Sequence, residues 1–121
     1  MVQINYRDPR PIYEQLRDGF RQLILTGVLE PGSKLPSVRE LAAKLAINPN
    51  TIQRAYRELE AEGCIASAPG RGSFVCQTDA AKLARRAELT AQLRQAAAAL
   101  RELGLTDTEL SALIKEEDSH D

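Results

Sequence analysis

The chain has 121 residues, with 16 Lys+Arg against 17 Asp+Glu, a formal net charge of −1, 43% hydrophobic residues and 4% aromatics. That composition fits a soluble globular protein with one ordinary domain, or one small domain plus an appendage, and excludes wholesale disorder. No run of ~20 apolar residues exists to span a membrane, and the opening Met-Val-Gln-Ile-Asn-Tyr-Arg lacks the basic and apolar regions of a signal peptide, so a cytoplasmic protein is expected.

From about Pro11 to Thr26, the apolar residues Ile12, Leu16, Phe20, Leu23 and Ile24 recur at helical steps. Pro11 suits a first helical position and Gly27 an exit. Val28–Pro36 contains the Pro31-Gly32 turn and an extended Leu35 before Pro36, a connector with one short strand. Ser37-Val38-Arg39-Glu40 is a capping-box pattern opening a second helix, with Val38, Leu41, Ala42 and Leu45 inward. Asn48-Pro49 offers an N-cap and a first-turn proline for a third helix over 48–62, which carries Ile52, Ala55, Tyr56 and Leu59 inward and stops at Gly63. Two short helices separated by three to four residues have helix-turn-helix spacing.

Cys64–Ser67 and Ser73–Cys76 read as strands around the turn Ala68-Pro69-Gly70-Arg71-Gly72. A long helix is expected from Asp79 to Leu103, ended by Gly104. Its residues Leu89, Leu93, Ala96, Leu100 and Leu103 have the spacing of a narrow packing seam. Thr106 to Glu109 repeats the capping box, Leu110, Leu113 and Ile114 make a last short helix, and residues 115–121 are expected to fray. The fold class that follows is mainly α with a small β-hairpin. A winged helix-turn-helix domain occupies 1–77, and a short two-helix region for dimerisation occupies 78–121.

Catalytic and metal chemistry find little to work with. Cys64 and Cys76 lack metal-motif spacing, and the single histidine, His120, sits between Asp118 and Asp121 in a polar tail. Zinc sites, Ser-His-Asp triads and Cys-His pairs need more than this chain supplies. No Gly-rich phosphate loop is present, so neither enzyme activity nor a cofactor or metal is expected.

Charge is unevenly spread. Residues 1–77 hold 10 Lys+Arg and 8 Asp+Glu, whereas residues 78–121 hold 6 and 9. On a wheel of about 100° per residue, the third helix turns Ile52, Ala55, Tyr56 and Leu59 to one side. Asn50, Arg54 and Arg57 fall opposite, with Gln53 on a flank. Such side chains hydrogen-bond base edges or neutralise phosphates, and no Asp or Glu interrupts residues 48–57. A solvated helix face is the plain alternative. The short turn before the helix and the arginine-tipped hairpin after it favour nucleic acid.

The order of these residues resembles the winged helix-turn-helix of GntR-family bacterial transcription regulators over roughly residues 11–76. It is carried by Gly27, Leu29, Pro31-Gly32, Leu35-Pro36-Ser37, Arg39-Glu40-Leu41-Ala42, Asn50-Thr51-Ile52, Ala55-Tyr56, Leu59, Gly63 and Gly70-Arg71-Gly72-Ser73-Phe74-Val75. The short C-terminal part is similar to the YtrA subfamily, in which about two helices replace a larger effector domain and serve in dimerisation. The resemblance implies a dimeric DNA-binding regulator, more commonly a repressor, of a bacterial operon, with control of a neighbouring transporter operon by analogy. It implies that Ser37 and Arg39 help seat the recognition helix, that Asn48, Asn50, Thr51, Gln53, Arg54 and Arg57 lie along it, and that Gly70-Arg71-Gly72 reaches the minor groove. Pro49 and Gln53 stand where other subfamilies place arginines, so a different operator is implied.

The partners expected are therefore double-stranded DNA with a pseudo-palindromic site and a second copy of the chain, joined through Leu89, Leu93, Ala96, Leu100, Leu103, Leu110, Leu113 and Ile114. No membrane partner is expected and the sequence designates no effector. The seam could instead pack on the chain's own last helix. Two other readings compete: a winged-helix module for protein–protein contact, and a small-molecule-responsive sensor. Cys64 and Cys76 flank the hairpin, where a redox-sensing pair competes with plain buried thiols.

Overall fold

The computed structural model describes residues 2–119, with side chains through 115; His120 and Asp121 lie outside the described residues, as does the side chain of Asp118. In chain order the elements are α1 (Ile12–Leu25), α2 (Val38–Leu45), α3 (Pro49–Ala61), β1 (Ile65–Ala68), β2 (Gly72–Val75), α4 (Asp79–Glu102) and α5 (Asp107–Ser119). The chain divides into two compact units between Lys82 and Leu83.

In the first unit, α1 buries Leu16, Phe20 and Ile24 against Ile52, Ala55, Tyr56 and Leu59 of α3. Phe20 meets Tyr56 edge to face at 5.8 Å between ring centroids, a preferred aromatic geometry. Leu41 and Ala42 of α2, Leu35, Cys64, Ile65, Val75 and Ala81 complete the core. Burial pushes the Tyr56 phenol up, with Glu40 acting in the same direction, so the hydroxyl stays a neutral donor to the Pro36 carbonyl at 2.7 Å. One buried polar residue falls within the α1 stripe. The Gln15 amide donates to the Asn5 and Arg10 carbonyls and accepts from the Asn5 N–H, latching the N-terminal segment onto α1.

Several boundaries differ from the sequence expectation. Pro11 is the N-cap of α1 rather than its first helical residue. At α2 only half the capping box is made: Ser37 Oγ accepts from the Glu40 N–H at 3.0 Å, while Glu40 makes no return bond. The strands sit one residue later at β1 and one earlier at β2. The Cys64 N–H is taken by the Leu59 carbonyl at the end of α3, and Gly72 pairs with Ala68. The connector supplies a bridge between Lys34 and Phe74 rather than a full strand, and Leu35 N–H donates to the Ser73 carbonyl at 2.9 Å.

In the second unit, α5 continues to Ser119, beyond the fraying point expected at 115. Its start is the complete capping box, Thr106 N–H to Glu109 at 3.1 Å and Glu109 N–H to Thr106 Oγ1 at 3.2 Å, which offsets the cost of nucleating the helix. Gly104, at φ 100°, makes the left-handed exit from α4, and Arg101 pairs with Asp107 across the turn at 2.9 Å.

Candidate nucleic-acid interface

Ala46, Ile47 and Asn48 alone separate α2 from α3. Ala46 closes α2 in the left-handed region at φ 55°, and Ile47 N–H returns to the Ala42 carbonyl at 3.0 Å. Asn48 then caps α3 by accepting the Asn50 N–H at 2.8 Å, with Pro49 in the first turn. These local bonds fix the angle at which α3 leaves the turn, so α3 presents a constant face to solvent.

On that face Asn50, Gln53 and Arg57 are exposed and Thr51 is half-buried. Arg39, in the first turn of α2, is exposed as well. Among the described residues, the side chains of Arg39, Asn50, Thr51, Gln53, Arg57 and Arg71 make no hydrogen bond or ion pair. Asn48 differs, because its oxygen is committed to the cap. Arg54 differs more: it leans toward α1, over the Tyr13 ring, and is tied to Tyr13 and Glu58. The wheel grouped Arg54 with Asn50 and Arg57; packing separates it from them.

The wing is the hairpin β1–β2. Arg71 N–H donates to the Ala68 carbonyl at 2.9 Å, and the turn needs Gly70 at φ 75° and Gly72 at φ 115°, both in the region that favours glycine. Arg71 stands exposed at its tip. A β-carbon at Gly72 would come 2.8 Å from Lys34 Cε, so Lys34 lies along the wing. Sequence reasoning missed Lys34, because the connector showed no sign of pairing with β2.

The acidic residues of α3 explain how a chain of net charge −1 presents a local basic surface. Glu58 pairs with Arg17 at 2.7 Å and Glu62 with Arg21 at 2.6 Å, both across the α1–α3 contact. Asp18 binds Arg10, Arg17 and Arg21. Glu60 accepts from the Ser67 N–H and hydroxyl at 3.3 and 3.4 Å. The hydrogen bond from Arg17 holds the Glu58 carboxyl below its usual range. At Arg21 the Glu62 hydrogen bond outweighs burial and raises the guanidinium pKa. Glu58 and Glu62 are thus neutralised from within, Glu60 keeps its charge on the side that faces the hairpin, and among the described residues Arg39, Arg57 and Arg71 have no acidic partner.

Cys76 N–H donates to the Cys64 carbonyl at 3.0 Å at the base of the hairpin, and both thiols are free. Burial pushes the Cys64 thiol up, and Glu62 adds to it, which reduces the reactive thiolate. In the second unit, Leu83, Leu89, Leu93, Leu103, Leu113 and Ile114 stand exposed, Leu103 by 78%. Leu100 and Leu110 are half-buried and Ala96 is exposed. The chain's own α5 therefore covers only part of the leucine seam. No helix among the described residues is long and apolar enough to cross a membrane.

The family described as bacterial regulatory proteins, gntR family, matches residues 12–75. The HTH-type transcriptional repressor YtrA of Bacillus subtilis (strain 168) is 49% identical over 77 residues, covering 64% of this chain and 59% of that repressor. The match thus spans less than two thirds of that relative's length. A solved transcriptional regulator from Oenococcus oeni superposes with a TM-score of 0.76 at 35% identity, over 96% of this chain and 98% of that one. AraR(DBD), solved in complex with operator ORR3, superposes with a TM-score of 0.54 at 26% identity, over 63% of this chain and 92% of its own. A capped turn between two short helices, a glycine-built wing and these likenesses converge: the chain belongs to the GntR family of bacterial regulatory proteins, on its YtrA branch.

Proposed function

We propose that the protein is a cytoplasmic, homodimeric transcriptional repressor that reads a pseudo-palindromic double-stranded DNA operator. In this reading α3 enters the major groove, with Asn50, Thr51, Gln53 and Arg57 toward base edges and phosphates, Ser37 and Arg39 seat it from α2, and Gly70-Arg71-Gly72 lies along the adjacent minor groove. The helices after residue 78 join two copies. The observation that carries it is the division of charge: Glu58 and Glu62 are paired inside the first unit, whereas Arg39, Arg57 and Arg71, on the two helices and the wing, have no partner among the described residues. The operator complex of AraR(DBD) and the repressor name of YtrA support the same reading.

The test is fluorescence anisotropy on a duplex from upstream of the protein's own gene, against a scrambled duplex, across a salt series. Binding is expected to favour the upstream duplex, with log K falling against log salt by about 0.9 for each phosphate neutralised. Equal, weak binding to both duplexes at every salt would overturn the reading.

A further inference from the structure

At the contact of α1 and α3, a cation is held in place by an aromatic ring. The Arg54 guanidinium carbon lies 3.7 Å from the centroid of the Tyr13 ring, within cation–π range. Its Nη2 donates to the Tyr13 hydroxyl oxygen at 3.0 Å and its Nε to Glu58 at 3.4 Å. The Tyr13 hydroxyl in turn donates to Glu14 at 3.3 Å, which leaves its lone pairs for Arg54. Glu58 is shared with Arg17 at the shorter distance of 2.7 Å, so Arg54 has no carboxylate of its own. A guanidinium carries five N–H donors. Two of those on Arg54 are committed here, and 56% of the side chain is exposed. By contrast the Arg21 side chain is only 11% exposed and lies against its carboxylate. Arg54 is therefore fixed in direction yet incompletely satisfied, one helical turn beyond Asn50.

We infer that Tyr13 is a positioning residue that holds Arg54 as a preorganised clamp for a DNA backbone phosphate on the α1 side of the groove. The inference rests on α3 occupying the major groove. A helix about 10–12 Å across fills a groove about 12 Å wide, so its central face meets bases and its flanks meet the two sugar-phosphate walls. Arg54 leans to a flank. A free arginine loses rotamer freedom when it binds, and one already stacked on a ring loses less. The clamp therefore adds affinity without sequence preference.

The test is a double-mutant cycle on full-length protein, read by anisotropy on the upstream and scrambled duplexes. Arg54→Ala is expected to weaken both duplexes by a similar factor, about fivefold, and to lower the salt slope by about one. Tyr13→Leu is expected to reproduce part of that loss in the wild-type background and to add nothing to Arg54→Ala. Tyr13→Phe, which keeps the ring and loses only the hydroxyl, is expected to fall between wild type and Tyr13→Leu, and it serves in the cycle should the leucine variant fail to fold. A loss from Arg54→Ala confined to the upstream duplex would make Arg54 a base reader and overturn the inference. Equal losses from the Tyr13 variants in both backgrounds would show that Tyr13 acts through the fold, with the same consequence. Wild-type protein that fails to discriminate the duplexes would instead remove the DNA-reading proposal itself, and the clamp with it.

Discussion

Arg39 stands in the first turn of α2, exposed and without an intrachain partner among the described residues, on a helix whose start is fixed by Ser37 Oγ. A side chain so placed contributes to the interface only through what it touches outside the chain. Arg39→Ala is expected to weaken operator binding by about 5–150-fold, the ~1–3 kcal/mol scale of one lost contact to DNA, and to leave the sedimentation coefficient unchanged. Undiminished affinity in that variant would remove Arg39 from the interface. At this scale the sequence was legible wherever the partner lies within a few residues: Ser37, Asn48 and Thr106 cap their helices as their local patterns require. It was not legible where the partner is distant. Nothing adjacent to Arg54 announces that Tyr13, 41 residues earlier, holds it. Nor does the α1 stripe show that Gln15 is buried to bind Asn5 and Arg10.

Between elements, the α1–α3 contact is a ladder. Tyr13, Arg17 and Arg21 at four-residue steps on α1 meet Arg54 and Glu58 of α3 and its C-cap Glu62 at the same steps. Equal spacing on both helices lets one axial alignment satisfy three rungs, and the same alignment seats Phe20 against Tyr56. Each helix was predictable from its apolar period, but their register depends on complementary polar residues that no single-helix pattern displays. The late start of β1 has a more local origin: the Cys64 N–H is taken by the Leu59 carbonyl at the end of α3, which leaves only the Cys64 carbonyl to accept from Cys76. The ladder carries a pH dependence whose sign is fixed. Glu58 has its folded pKa depressed below the usual value near 4.5 by the Arg17 hydrogen bond, so its contribution is present above that value and is lost as pH falls through the folded pKa. Wild-type protein is expected to melt at progressively lower temperature below about pH 4.5. Glu58→Gln should melt lower than wild type at pH 6–7, with the difference narrowing toward pH 3. A difference that stays constant over that range would mean that Glu58 stabilises by packing rather than by charge.

For the whole molecule, the question is what covers the leucines of the second unit. Leu93, Leu103, Leu113 and Ile114 are exposed by 57%, 78%, 46% and 56%. Leu93, Ala97, Leu110 and Ile114 line a cleft along α4 and α5, with Arg94, Arg101 and Asp107 at its polar edge. The spacing of the seam was written in the sequence. Its partner was not, since a surface completed by a second chain leaves the same apolar period as one completed by the same chain. In the proposed dimer, a second copy covers this surface and meets the demand of a two-fold DNA site. Joining two readers makes the second half-site contact intramolecular, which raises affinity by about 10²–10⁴ over one reader without new base contacts. The double variant Leu93→Glu with Ile114→Glu is therefore expected to sediment as a monomer, to keep wild-type affinity for an isolated half-site, and to lose most of the gain on the full operator. Wild-type mass retained by the double variant would move the dimer contact elsewhere on the chain. A monomer that still bound the full operator as tightly as wild type would mean that the two half-sites are read independently.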